Sequence, residues 1–329
     1  MIPFKVLPLG ENEINAVVDV IKSKSIGMGK KVKEFEERIA EYAGAKYAVA
    51  VDSCTSALFL SLKYCALDNA GHLPIPVRIP SMTVPLVAST VVHAGGRIHF
   101  EDECDWVGHS YQLKPYPIID SAHKVTPNQY TDLHDDKMLL CYSFYPTKPI
   151  TSCEGGVILT NDEKAAEWLT KARFYGRNSG ETVAKNSWEY DIEFPGWKMN
   201  MTEIQAALCI EQIKRLPLLD INRQLVVSLY NYLLGLDNDS LYLYRINVLN
   251  RDKFINYMKD NGVECGVHFK PLHLMEAFKD CQRDELIKTE AMGKYTVSLP
   301  LYDSLNEKDT KFICKLVREW QEKGDTQNG

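Results

Sequence analysis

The stretch that most constrains this chain is residues 138–159, where an apolar run from Met138 to Tyr142 meets a turn holding one lysine between two prolines. The run reads as a buried strand. Ser143 and Phe144 follow, then Pro146, Lys148 and Pro149, then Gly155 and Gly156, and Val157 to Leu159 resume a strand. Each proline fixes its own φ, which limits where Lys148 can point. In α/β proteins ligands bind at the carboxyl ends of strands, and Lys148 sits just past one. Taken alone, the residue reads sooner as a solvated loop lysine, since lysines are mostly exposed.

A chain of 329 residues suggests two domains, one large and one small. The net charge of −6, with no basic stripe, argues against nucleic acid as a partner. The nine cysteines are scattered, with no Cys-x-x-Cys pair, and read as thiols kept reduced. No signal peptide and no membrane-length apolar stretch is evident, so a cytoplasmic protein without a membrane partner is expected.

Helical spacing covers Glu11 to Lys22 and Val32 to Tyr42. Gly27 and Gly29 between them match half of a dinucleotide fingerprint; no strand precedes them, and a loop is the expected structure. Tyr47 to Val51 reads as a strand, followed by Ser53, Cys54, Thr55 and Ser56 at the start of a helix. A helix start with hydroxyls can hold a phosphate, though alone it reads sooner as a plain N-cap. Residues 71–82, with Pro74, Pro76 and Pro80, read as loop. Thr83 to Ala94 reads as a helix and Arg97 to Phe100 as a strand. Tyr116 to Ile119 is a short buried strand ending in Asp120 and His123, placed for ligand contacts or for capping. Residues 177–198 suit a functional loop. Thr202-x-x-Gln205 is a capping box opening a helix to Leu216, with a second helix from Asn222. From Leu241 the pattern changes to strand 242–248, helix 252–261, strand 263–269 and a last helix 307–322. The expected division is a large domain over 1–220 and a small α+β domain over 221–329. His268 and His273 lack a third ligand at a metal spacing, and structural or substrate contacts are expected of them.

In this order, the pieces fit pyridoxal phosphate chemistry. A lysine forms the Schiff base, a carboxylate pairs with the ring nitrogen, a helix start holds the phosphate, and a small domain closes the site. The same residues carry a resemblance to a family, the DegT/DnrJ/EryC1/StrS sugar aminotransferases. Gly29 to Glu36 is similar to its G-x-x-V-x-x-F-E, and Ser53 to Leu58 to its S-[GC]-T-x-A-L. Pro80 to Thr83, Asp120 to His123, Ser143 to Lys148, Glu154 to Gly156 and Gly196 to Ala207 resemble further family segments. Val267 to His273 and Ser298 to Leu301 resemble its C-terminal signatures.

The resemblance implies an α/β architecture of the pyridoxal-phosphate fold type I: a mixed, mostly parallel sheet with helices on both faces and a small α+β C-terminal domain. It implies Lys148 as the Schiff-base lysine and proton carrier, Asp120 on the pyridine nitrogen and His123 at the phenolic oxygen. Ser143, Thr55 and Cys54 or Ser56 would hold the phosphate. Asn200 would reach the phosphate of a second subunit, making a homodimer with shared sites. The implied reaction moves an amino group from an amino acid, L-glutamate by family habit, to a keto-sugar nucleotide in deoxyamino-sugar biosynthesis. Lys148 argues against the relatives that carry histidine there and act as dehydratases.

The chain departs from the family pattern in three places. Val84 stands where an aromatic residue usually stacks on the ring, so another group covers that face or the cover is weaker. The stretch from Thr83 to Asp120 is short, as if a strand–helix unit were missing. Cys153 stands where glycine is common. The shortened stretch is the main support for an alternative, a cofactor-binding relative without turnover in a regulatory or structural role. A nicotinamide dehydrogenase would rest on Gly27 and Gly29 alone.

Overall fold

The computed structural model describes residues 1–177 and 191–326. Two helices, α1 (Glu11–Ser23) and α2 (Lys30–Ala43), precede β1 (Tyr47–Val51), α3 (Cys54–Cys65) and β2 (Val77–Pro80). Next come α4 (Pro85–His93), β3 (Ile98–Glu101), β4 (Tyr111–Gln112) and β5 (Ile118–Asp120). β6 (Leu139–Ser143), β7 (Gly156–Thr160) and α5 (Glu163–Ala172) follow, and α6 (Glu203–Leu234) leads onward. The last part holds β8 (Tyr244–Asn247), α7 (Arg251–Asp260), β9 (Gln282–Arg283), α8 (Ile287–Tyr295), β10 (Thr296–Leu299) and α9 (Glu307–Thr326).

A mixed sheet in the order β1-β7-β6-β5-β4 forms the centre. β5 and β6 run parallel, and the other neighbours antiparallel. A second, parallel sheet runs β2-β3-β9. Arg78 and Lys114 exchange backbone hydrogen bonds of 2.7 and 3.1 Å, which joins the two sheets just beyond β4.

β6 and β7 are buried along their whole length, as strands covered on both faces must be. Their side chains alternate between two cores. Leu139, Cys141 and Ile158 pack with Leu58, Leu62 and other residues of α3 and α4. Leu140, Tyr142, Val157 and Leu159 pack on the opposite face with Phe35, Ile39, Ile210 and Leu216 of α2 and α6. A slip of one residue would exchange the two sets, so the register is strongly specified. A third core gathers the second half of α6 with β8, β10, α7 and α9.

Three sequence expectations differ from the structure. Residues 77–80 form β2 inside the expected loop; its prolines flank or end the strand, where no ladder N–H is lost. The two expected helices after Thr202 are one continuous helix, α6, which runs through Pro217. Buried Leu216 and Leu219 hold both sides of the proline, and packing of this kind overrides a local breaker. Residue 220, the expected domain division, therefore lies inside a helix. The expected strand 263–269 makes only single bridges, Val263 to Ile2 and Gly266 to Ser298. Most of the expected functional loop, residues 178–190, lies outside the described residues. No described helix is long and apolar enough to cross a membrane.

Candidate active site

Strands β5, β6 and β7 end around one cavity of about 400 Å³, within the usual size for a small-molecule site. Cys54, Thr55, Trp106, Asp120, His123, Ser143, Lys148, Tyr242 and Phe269 are among the residues lining it.

The turn carrying Lys148 is tied at several points. Its own N–H donates to the Tyr145 carbonyl at 2.9 Å, and Phe144 and Gly155 join at 2.9 Å across the base. Arg223, itself paired with Asp220, donates to the Pro149 carbonyl at 2.6 Å. The Lys148 Nζ lies 4.9 Å from the Tyr242 ring centroid, over its face. Among the described residues it has no carboxylate or carbonyl partner. A second lysine, Lys5, sits 4.6 Å from the same ring and donates to the Tyr242 and Leu301 carbonyls at 2.5 and 2.8 Å. Burial, then the charges of Arg223 and Lys148, push the Lys5 pKa well below its ordinary value.

At the opposite edge, Ser53 caps α3 by accepting the Ser56 N–H at 3.1 Å. A cap of this type contributes about 1 kcal/mol. The N–H groups of Cys54 and Thr55 stay open at the helix start, where the dipole favours an anion. Gly156 makes this approach possible: a Cβ there would lie 2.6 Å from the Cys54 nitrogen. Ser56 does not line the cavity; its hydroxyl donates to Asp52 at 2.5 Å. Asn200 is likewise outside its own chain's cavity, bridged to Val51 beside β1 and bonded by Lys198.

Asp120 ends β5 and is 4% exposed. It accepts the Ala122 N–H at 3.0 Å and the Tyr111 hydroxyl at 2.9 Å. Burial raises its pKa above the ordinary carboxylate value, while these two bonds and the Lys148 charge pull the other way. His123 is also buried, and its Nδ1 accepts the Gly108 N–H at 3.1 Å. Burial, then the Lys148 charge, hold its pKa well below the ordinary value. The ring is therefore neutral, with its proton on Nε2, free to donate into the cavity.

The aromatic residue missing at Val84 is answered from the shortened stretch. Trp106 lines the cavity beside Val84, stacked on His123 at 5.1 Å and parallel to Phe269 at 6.3 Å. Its indole N–H is buried and has no partner among the described residues. His268 and His273 bond to Ser298 and Ser81 at 2.9 and 2.7 Å. His268 lines the cavity, and burial takes its pKa down to about 3. Sequence reasoning missed Trp106, Tyr111, Tyr242 and Lys5. Only Tyr111 left a signal, since Tyr111-Gln112-Leu113 before the Lys114–Pro115 turn reads as one arm of a hairpin.

The model of the DegT/DnrJ/EryC1/StrS aminotransferase family matches residues 8–129 and 91–318. The chain belongs to that family. It is 29% identical to the spore coat polysaccharide biosynthesis protein SpsC of Bacillus subtilis, over 97% of this chain and 96% of SpsC. That alignment runs over 382 positions, more than the 329 residues here, so part of SpsC has no counterpart. The chain is 24% identical to a UDP-4-amino-4,6-dideoxy-N-acetyl-beta-L-altrosamine transaminase of Campylobacter jejuni, over 95% of this chain and 96% of that one. Among solved structures, TlmJ from Streptoalloteichus hindustanus has a TM-score of 0.83 at 23% identity, covering 98% and 99% of the two chains. Spr1654 from Streptococcus pneumoniae, a putative sugar aminotransferase solved in a PLP form, has a TM-score of 0.80 at 23% identity, covering 98% and 99%. DegT aminotransferases are pyridoxal-phosphate enzymes of fold type I, and this chain is one of them. The cavity fits that cofactor: a lysine without a carboxylate or carbonyl partner among the described residues, a buried carboxylate and an open helix start line one space.

Proposed function

We propose that this aminotransferase moves an amino group from L-glutamate to the keto group of a nucleotide-linked sugar, on a route to deoxyamino sugars. The transaminase and the spore coat protein it is similar to support the sugar. The observation that carries the catalytic reading is Lys148, without an acceptor among the described residues, in the same cavity as buried Asp120.

The bound cofactor supplies the carbonyl that exchanges for the amino group and a ring that takes up the electron pair released at carbon. Lys148 would hold it and, with its amine free, would carry the proton between the two carbon centres. Asp120 keeps a negative charge at the ring nitrogen. His123 would donate from Nε2 to the ring's phenolic oxygen. The Cys54 and Thr55 N–H groups, the Thr55 hydroxyl and Ser143 hold the phosphate, with Ser56 positioning the helix start through Asp52. Trp106 and Phe269 exclude water. Asn200 serves the cavity of a second copy of the chain, and Ile14, Ile21, Ile26 and Leu86, each more than half exposed, support such a dimer; a monomeric mass in sedimentation would remove it.

The deciding experiment is the visible spectrum of the protein with pyridoxal phosphate, before and after L-glutamate. A yellow band that bleaches with glutamate is expected. A band that persists with every amino acid would mean binding without turnover, and no band would remove Lys148 from its role.

A further inference from the structure

The stretch between Thr83 and Asp120 is where the chain is shorter than its family pattern. It also holds a hairpin that ends at the cavity. β4 and β5 form a tight hairpin in which Tyr111 sits directly across from Asp120. Directly opposed residues of an antiparallel pair share a face, and here the two side chains meet. The Tyr111 hydroxyl donates to Asp120 Oδ2 at 2.9 Å. Behind it, the Thr83 hydroxyl lies 3.1 Å from the same phenol oxygen. Asp120 uses the phenol proton, so Thr83 must donate to Tyr111. The result is a one-way relay, Thr83 to Tyr111 to Asp120, and all three residues are buried. Hydrogen bonds in such a chain strengthen one another in a low dielectric.

We infer that Tyr111 is a positioning residue for the cofactor's ring nitrogen: its hydroxyl, backed by Thr83, keeps Asp120 ionised and fixes which carboxylate oxygen faces the cavity. The inference rests on the reading of Asp120 as the ring-nitrogen partner. A carboxylate this deep would otherwise hold its proton, since burial disfavours the charged form. A neutral Asp120 could not hold a proton on the ring nitrogen, and the bound ring would draw electrons less strongly. The other groups that act on Asp120 are few. The Ala122 N–H is the second donor, from the main chain. Lys148 is the nearby cation, from the turn after β6. Cys54 on α3 and Cys141 on β6 are close enough for Asp120 to affect them, and burial raises both thiols, so they stay neutral. His123 in the same cavity is neutral. Among the described side chains, Tyr111 is thus the one neutral donor that supports the charge.

The test is cofactor affinity of the apoprotein as a function of pH, read by equilibrium dialysis and needing no turnover. In Tyr111→Phe, affinity at neutral pH should fall about tenfold or more, as for loss of a hydrogen bond to a charged group. The acid limb of the profile, where Asp120 takes up its proton, should move to higher pH. In an Asp120→Asn background, Tyr111→Phe should bring no further shift. An unmoved limb, or an equal loss in the Asp120→Asn background, would reduce Tyr111 to a packing residue and overturn the inference. If Tyr111→Phe unfolds, Thr83→Val decides, with a smaller shift in the same direction expected and none overturning the inference. Failure of the unsubstituted protein to bind the cofactor would overturn the functional reading itself, and this inference with it.

Discussion

On the α3 side of the cavity main-chain geometry holds the site, and on the β4 side the side chains do. The Lys148 turn is tied by carbonyls and amides, and the start of α3 is pressed against Gly156 with its N–H groups open. Asp120 and His123, by contrast, depend on Tyr111, Thr83, Trp106 and the Gly108 N–H, all from or beside the shortened stretch. Gly108 itself shows how tight that stretch is: its φ of +102° favours glycine, and a Cβ there would meet Ser240 Oγ at 2.4 Å. The main-chain side tolerates many side chains but no added bulk at one glycine. The side-chain side tolerates no loss of particular hydroxyls and rings.

The largest effect separates chemistry from architecture. Lys148→Ala removes the group that carries the proton and leaves both sides standing. Amino transfer should fall about 10²–10⁴-fold, the usual contribution of a positioned acid–base group. Cofactor should still bind, now removable by dialysis, and thermal stability should change little. Measured single-turnover rates near those of the unsubstituted protein would place the chemistry elsewhere.

Gly156→Ala strikes the main-chain side. Its Cβ would lie 2.6 Å from the Cys54 nitrogen and from the Ser53 carbonyl atoms, which are backbone and cannot swing away. Overpacking of this kind costs about 1–3 kcal/mol, and the shift falls on the helix start that holds the phosphate. Both the melting temperature and the cofactor affinity should drop, at every pH alike. Tyr111→Phe should leave the melting temperature nearly unchanged and act through pH. If the two variants gave the same signature, the contrast between the sides would dissolve.

That contrast also explains what the sequence made legible. Ser53 to Ser56, Asp120 and Gly156 stand at strand ends and helix starts and Lys148 in the turn after β6, where residue type, local position and their order along the chain together carry meaning. Helical spacing marked α1 and α2, and an apolar run marked β6, for the same reason. Trp106 and Tyr111 could not be found this way. Trp106 lies in an acidic loop, and its role exists only because the hairpin folds it onto His123. Tyr111 acquires its meaning from a register with Asp120 that is set nine residues away. α6 is the counterpart among elements: Pro217 argues locally for a break, and the packing of Leu216 and Leu219 decides otherwise. Ser56 has the right type for a phosphate contact, but its hydroxyl is turned to Asp52.

The smallest effect is on stability with pH, and it comes from the side-chain side. His123 and His268 are both held neutral, with pKa values below the ordinary one; burial is the first cause and the Lys148 charge the second. In the unfolded chain each would take up a proton near pH ~6.5. Between that point and the folded values, the unfolded state binds more protons, so stability rises with pH. Their contribution is full above pH ~6.5 and is lost as the pH falls below it. Each histidine adds a slope of about 1.4 kcal/mol per pH unit in that window. Asp120, with a raised pKa, acts with the opposite sign, but only near and above its ordinary value of 3.8. Denaturant unfolding of the apoprotein from pH 7.5 to 5 should therefore show a falling stability, and His123→Gln should flatten it by about one histidine's share. A Gln keeps a donor for the cavity and takes up no proton. An unchanged slope in that variant would mean that His123 is protonated in the folded protein, and that the Gly108 N–H does not set its tautomer.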